Sequence, residues 1–249
     1  MLTVILNAYY SAKKQLTLNQ VPYINMIPGI LFKQDKLQNS SYKALKECLR
    51  IAIEHLNNPK IEHRLAAIYD LEQFAHNYPQ LHWKIMEILA NFVRNNTSDM
   101  SQDEYKSQPS PTICTDIQVA LTVIGRRDAQ KDPENEQLDL SHTELRGANL
   151  NEANLELTNL YRVNLSGANL AGANFSGAIL SAANLSNANL AGANFSGAIL
   201  SAANLSNANL AGAKLCRVNL YLANLCGANL RDAILEGANL REAKLSTNF

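Results

Sequence analysis

Apolar residues in the second half of the chain recur with a period of five. Every fifth position from Leu140 to Leu245 is Leu or Phe, 22 in succession, with Phe only at 175 and 195. In an α-helix a step of five residues advances about 140° beyond a full turn, so these side chains would scatter around the axis. In a continuous strand an odd period sends alternate members to opposite faces. The pattern is satisfied if the chain bends once per repeat and points each Leu at a common interior. That predicts a coil, or solenoid, with stacked leucines inside.

The residue two places before each Leu is small in most repeats, as at Ala148, Ala153, Ala168 and Ala173; the exceptions are Leu138, Thr143, Thr158, Val163 and Val218. A small inward side chain suits a corner crowded by the layers above and below. Between the two sits Asn in most repeats, and Asn, Ser and Gly suit turns because they tolerate positive φ or bond to nearby backbone. The stretch Ala168 to Ala193 recurs letter for letter as Ala188 to Ala213. Twenty residues are four repeats, so the copy fits the insertion of one whole layer. The 22 repeats then make about five and a half layers, roughly 26 Å of stack.

Tandem units such as ANLAG, ANFSG, ANLSN and ANLRD resemble those of the pentapeptide repeat proteins, over about residues 138–247. The resemblance implies a right-handed, four-sided (quadrilateral) β-helix with four pentapeptides per coil. The expected fold is therefore α plus β-solenoid, an N-terminal helical module followed by that β-helix.

The first half has helical texture. SYKALKECLRIAIEHL places Leu45, Leu49, Ala52 and Leu56 on one face, with Ser41 as N-cap. IEHRLAAIYDLEQFAHNY does the same for Leu65, Ile68, Leu71, Phe74 and Ala75. Pro79 suits the first turn of a third helix with Trp83, Met86, Leu89 (or Ala90) and Val93 inward. The succession resembles a HEAT-type helical hairpin, and also the helical segment preceding the repeats in some bacterial pentapeptide repeat proteins. A loop is expected over about 95–112, then a short helix, DIQVALTVIG, capped by Thr115, stopped by Gly125 and covering the first layer. The expected organisation is an extension over 1–40, helices over 41–127, a linker over 128–137 and the repeats over 138–249.

Composition narrows the function. The chain has 22 basic and 22 acidic residues, so no global charge points to nucleic acid. Four scattered cysteines, Cys48, Cys114, Cys216 and Cys226, make no CxxC pair and read as reduced thiols of a cytoplasmic protein. The five histidines share no metal-ligand spacing, and no nucleophile elbow, zinc-protease or phosphate-loop motif occurs. No catalytic, cofactor or metal site is expected, and the protein is read as non-enzymatic. Leu16 to Phe32 is uncharged but short and broken by two prolines, so no transmembrane span is expected. A surface-lying role on a membrane for residues 1–32 stays as an alternative.

The family resemblance brings gyrase inhibition by duplex mimicry as a further alternative. From residue 138 onward seven acids face seven bases, and Leu165 to Ala213 carries no charge. A phosphate ladder cannot be imitated without charge, so mimicry is disfavoured and direct nucleic-acid binding is not expected.

One face stands out when residues twenty apart are stacked. Ile179 and Ile199 replace the usual outward Asn, and Tyr161, Ser181, Ser201 and Tyr221 lie beside them with Leu222. Either the duplication simply copied an Ile, or the strip of Tyr161, Ile179, Ile199, Tyr221 and Leu222 is a docking surface for a protein partner or for self-association. A second association route is a homodimer through the C-terminal repeat, with Leu245 exposed and Phe249 as a lid. The reading is an interaction scaffold.

Overall fold

The computed structural model describes residues 39–97 and 113–245. The expectations for residues 1–32, most of the 95–112 loop and Phe249 lie outside the described residues. Helix α1 spans Asn39–His55 and so begins two residues before Ser41. Helix α2 spans Ile61–Asn77. In the connection between them, the Asn58 side chain accepts the Lys60 N–H at 2.9 Å, and Arg64 donates to the Asn58 carbonyl at 2.8 Å. Leu49, Ala52, Leu56, Ile68, Leu71 and Ala75 are buried as the spacing predicts, while Leu45, Leu65 and Phe74 are half-buried.

Pro79 opens a short 3₁₀ turn, Pro79–Leu81, that feeds α3, His82–Thr97. Ile85 rather than Trp83 takes the first inward place on α3, with Met86, Leu89, Ala90 and Val93 following. Helix α4 spans Thr115–Gly125 and packs on α3. Thr115 is its first helical residue; Cys114 holds the cap position with no side-chain bond. The chain divides into two compact units, 1–74 and 75–249, with the boundary inside α2.

The repeats pair at a spacing of twenty. Parallel bridges join Asp139 to Asn159, Asn149 to Asn169, Ile179 to Ile199 and Asn219 to Asn239, in four columns of this kind. Each layer bonds to the next through the Leu or Phe amide and the Asn-position amide: Leu170 N–H donates to Asn189 O at 2.8 Å, and Asn189 N–H donates to Ala168 O at 2.9 Å. The residues at the five-fold positions are buried from Leu140 to Leu225, and Phe175 stacks on Phe195 at 4.7 Å with an angle of 3°.

The expected right-handed quadrilateral β-helix is corrected here, and with it the β-helix and solenoid descriptions. Among the described residues the only β-sheet is an open, two-stranded parallel pair, β1 Asn224–Leu225 with β2 Lys244–Leu245. Regular secondary structure is mostly α-helical. The reason lies in the repeat itself. Outside that pair, one residue per pentapeptide makes a bridge before two turn residues interrupt it, and the second of these takes φ near +60°, as at Ala182 (+57°) and Asn187 (+58°). Ala, Asn, Ser and Gly are also weak strand formers. The repeats form a stack of turns tied by single bridges, not a sheet wound through several coils.

Candidate functional site: a capped stack with one apolar face

Two features of the unit 75–249 are built for contact rather than chemistry, and the first is internal. The initial members of two bridge columns, Asn149 and Asn154, have no earlier repeat to bond with. Helix α4 supplies what is missing. Its Gln118 carboxamide donates to Asn149 O at 2.7 Å and accepts the Asn149 N–H at 2.8 Å, as a neighbouring peptide group would. Gly125 O accepts the Asn154 N–H at 2.7 Å. A Cβ on Gly125 would lie 2.8 Å from the Ala153 methyl, so only glycine lets the helix end come this close.

Arg127, 4% exposed, completes the cap. Its guanidinium donates to the carbonyls of Asn154 and Glu156, to Thr158 Oγ1 at 3.2 Å, and through Nε to Asp132 at 2.9 Å. The other Asp132 oxygen faces buried His82 Nε2 at 3.8 Å, and neither atom has a hydrogen bond. Arg94 of α3 pairs with Asp139 of the first repeat at 2.7 Å.

Burial pushes the His82 imidazole below its ordinary value, against the opposing pull of Asp132 and Asp128, while Lys131 and Arg127 add to the lowering. His55 is lowered for the same primary reason, with His63 adding to it. A group depressed in the folded state binds its proton more readily when unfolded, so stability is complete above the ordinary His range near 6.5 and is lost as pH falls below it. Thermal unfolding will therefore shift to lower temperature between pH 7.5 and about 5. His82→Gln will flatten that dependence, and an unchanged pH profile would show that His82 carries none of it.

The second feature is the predicted strip. Ile179 and Ile199 occupy consecutive layers of one column, and Ile199 is 39% exposed. Tyr161 and Tyr221 are half-buried, and Leu222 and Leu157 are exposed. The structure thus places all five strip residues on or beside one bridge column. In the other columns Asn side chains hold most of the layers together, with Lys214 and the exposed Ile234 as departures in the column of Asn154, Asn174 and Asn194. Asn169, Asn189, Asn209 and Asn229 each donate at 3.1 Å to the Asn twenty residues earlier, and Ser166 N–H donates to its own layer's Asn164 at 3.1 Å. Isoleucine at 179 and 199 forgoes both bond types. Around it, Ser181 and Ser201 hydroxyls meet at 3.1 Å, Arg162 lies over the Tyr161 ring at 5.2 Å, and Tyr221 OH reaches Glu242 at 3.4 Å.

Leu157 was missing from the predicted strip. Its side chain occupies the space beside Gly177, whose added Cβ would meet Leu157 Cδ2 at 2.7 Å. Stacking the sequence at twenty sets Leu157 over Gly177, but the neighbouring repeats carry Glu152 and Arg162 at that place, so nothing in them marks it.

At the far end, the amides of Leu230, Leu235 and Leu240 make no hydrogen bond among the described residues, whereas Leu210, Leu215 and Leu220 bond to the layer that follows. Leu230, Leu235 and Leu240 are half-buried and Leu245 is 40% exposed. All four cysteines are free. Among the described residues no group of three or more His, Cys, Asp or Glu is arranged to hold a metal ion, and no helix is long and apolar enough to cross a membrane.

The pentapeptide-repeats family model matches residues 139–177, 178–215 and 208–246, in eight copies. The chain belongs to the pentapeptide-repeat family. Among solved structures, this pentapeptide-repeat chain is similar to HetL, a pentapeptide repeat protein involved in heterocyst differentiation regulation in the cyanobacterium Nostoc, at 37% identity over 42% of this chain and 52% of that one, with a TM-score of 0.36. It is also similar to a pentapeptide repeat protein of the Arabidopsis thaliana thylakoid lumen, at 38% identity over 38% of this chain and 66% of that one, with a TM-score of 0.38. A third similarity is to a pentapeptide repeat protein of the cyanobacterium Cyanothece, at 36% identity over 46% and 68%, with a TM-score of 0.28. The chain thus spans about half the length of HetL. No curated protein matches.

Proposed function

We propose that this protein is a regulator that acts by binding a protein target, with no chemistry of its own, through the face centred on Ile179 and Ile199. The observation that carries the reading is the exchange made on that face. Each Ile forgoes a ladder bond and a turn bond that Asn provides elsewhere, at a cost of about 1 kcal/mol per bond. It leaves apolar surface between two tyrosines in return. Aromatic anchors beside aliphatic surface are the composition of protein-binding patches.

A DNA-acting enzyme such as gyrase is the specific target class to test first. Balanced charge and the neutral stretch from Leu165 to Ala213 mean that such regulation would work by contact with the enzyme and not by imitating its DNA. The experiment is a supercoiling assay with the full chain beside its Ile179→Lys/Ile199→Lys variant. The expected result is inhibition or protection that the variant lacks at unchanged circular dichroism. Equal effects of the two proteins would remove the face from the function.

A further inference from the structure

We infer that the stretch from Gly125 to Asp132 is a proton-operated latch: protonation of His82 lifts it and uncovers the first layer of the stack at Asn154. The device lies apart from the Ile179/Ile199 face and stands whatever that face binds. Geometry defines it. The His82 side chain is 7% exposed, and its Nε2 stands 3.8 Å from Asp132 Oδ1, too far for a hydrogen bond. Both atoms are buried and neither has another hydrogen-bond partner. The second Asp132 oxygen accepts from Arg127 Nε at 2.9 Å, and the same guanidinium donates to the Asn154 and Glu156 carbonyls. One carboxylate thus links the histidine of α3 to the side chain that caps the stack.

The segment is tied mostly to itself. Its amides bond locally, Arg127 N–H to Ile124 O at 3.1 Å, Lys131 N–H to Asp128 O at 3.0 Å and Asp132 N–H to Ala129 O at 3.2 Å. It meets the first layer through the guanidinium, through Gly125 O on the Asn154 N–H at 2.7 Å, and through Asn154 Nδ2 on Arg127 O at 3.4 Å. A unit held this way can lift without unfolding the repeats behind it.

Charge decides what lifts it. The charged groups acting on His82 all belong to this segment: Asp132, Lys131, Asp128 and Arg127. On α3 itself Lys84 and Glu87 pair with each other at 3.1 Å. Arg127 pairs with Asp132, and Lys131 pairs with Asp128 at 3.3 Å, so the cluster is neutral while His82 is neutral. A proton on the imidazole adds one uncompensated positive charge beside two cations in a site that water does not reach. Lifting the segment returns His82 to water, where it binds the proton at its ordinary value near 6.5. The closed form holds that proton more weakly, so acid favours the open form. Above the ordinary range the latch stays shut. Below it the Asn154 N–H and the carbonyls beside it become an unpaired edge, open to pairing with another chain.

Native-state hydrogen exchange of the full chain at about pH 7.5 and about pH 5.5, corrected for the intrinsic rate at each pH, tests this. Opening at the Asn154 N–H is expected to rise several-fold in acid, and at most about tenfold. It is also expected to exceed opening at the Asn189 N–H, which bonds to Ala168 O in mid-stack, and to respond little to low urea, as local opening does. His82→Gln, folded by circular dichroism, should lose the acid response. The inference is overturned if Asn154 exchanges only together with Asn189, if acid leaves it unchanged, or if His82→Gln keeps the full rise. Should that variant not fold, the wild-type His82 imidazole followed by NMR carries the test. Its titration should fall below the ordinary value, and a midpoint at or above it overturns the latch.

Discussion

Leu190→Asp will abolish the cooperative unfolding of the repeats and leave the far-ultraviolet signal of the helices. Leu190 is fully buried between Leu170 and Leu210, one layer above and one below. An ionised carboxylate at that depth has no cation to pair with, because no charged residue lies between Leu165 and Ala213. Burying it unpaired costs about 5 kcal/mol or more, comparable with the whole stability of an ordinary domain. Leu190→Ala separates packing from charge. It removes the same contacts without adding a polar group, and should cost about 2–5 kcal/mol. Thermal denaturation of the two variants checks both figures. A Leu190→Asp protein that melts within a few degrees of wild type would mean that these leucines do not share a dry interior.

Arg127→Ala will have the second largest effect. The side chain is 1% exposed and serves two backbone carbonyls, Thr158 and Asp132. Truncation leaves the half-buried Asp132 carboxylate without its cation beside the already unbonded His82 Nε2 and strips two acceptors of the first layer of their donor. Breaking a buried pair in this way costs about 3–5 kcal/mol. For a chain of this size that lowers the melting temperature by roughly 10 °C, as thermal denaturation would read. Arg127→Lys will recover little, since an ammonium lacks the planar fork that reaches several oxygens at once. A loss of less than 1 kcal/mol would show that α4 merely lies against the stack without capping it.

The interior was legible because a five-residue period tolerates no other reading of where the leucines go. Residues 140 to 225 bear it out, and the helical faces of Leu49, Ile68, Leu71, Met86 and Val93 were equally plain in their spacing. The sheet was not legible. The same small residues that reveal the corners also confine extended backbone to isolated bridges, and period alone does not distinguish a bridged turn from a strand.

The cap chemistry was hidden for a different reason. Gln118 and Arg127 stand outside the repeat, 31 and 27 residues from the backbone groups they serve, and nothing in their neighbours marks them. Only Gly125 gave a hint, and it suggested where a helix stops, not how closely the helix end approaches Ala153. Thr115 misled because Thr is a favoured cap residue, whereas the helix already includes it and Cys114 holds the cap position. On the apolar face, Ile179, Ile199, Tyr161, Tyr221 and Leu222 were found by stacking the sequence at twenty, but Leu157 needed the space above Gly177 to be seen.

Disulfide trapping tests the twenty-residue register most directly. In a chain whose four cysteines are replaced by Ser, the pair Asn169→Cys and Asn189→Cys stands at a parallel bridge in an exposed Asn column. Neighbouring layers are about 4.8 Å apart, inside the span a disulfide bridges. Mild oxidation should close this pair rapidly, while Asn169→Cys with Asn184→Cys, fifteen apart and in another column, should stay reduced. Equal oxidation of both pairs, or closure of the second alone, would contradict the stacking of these repeats.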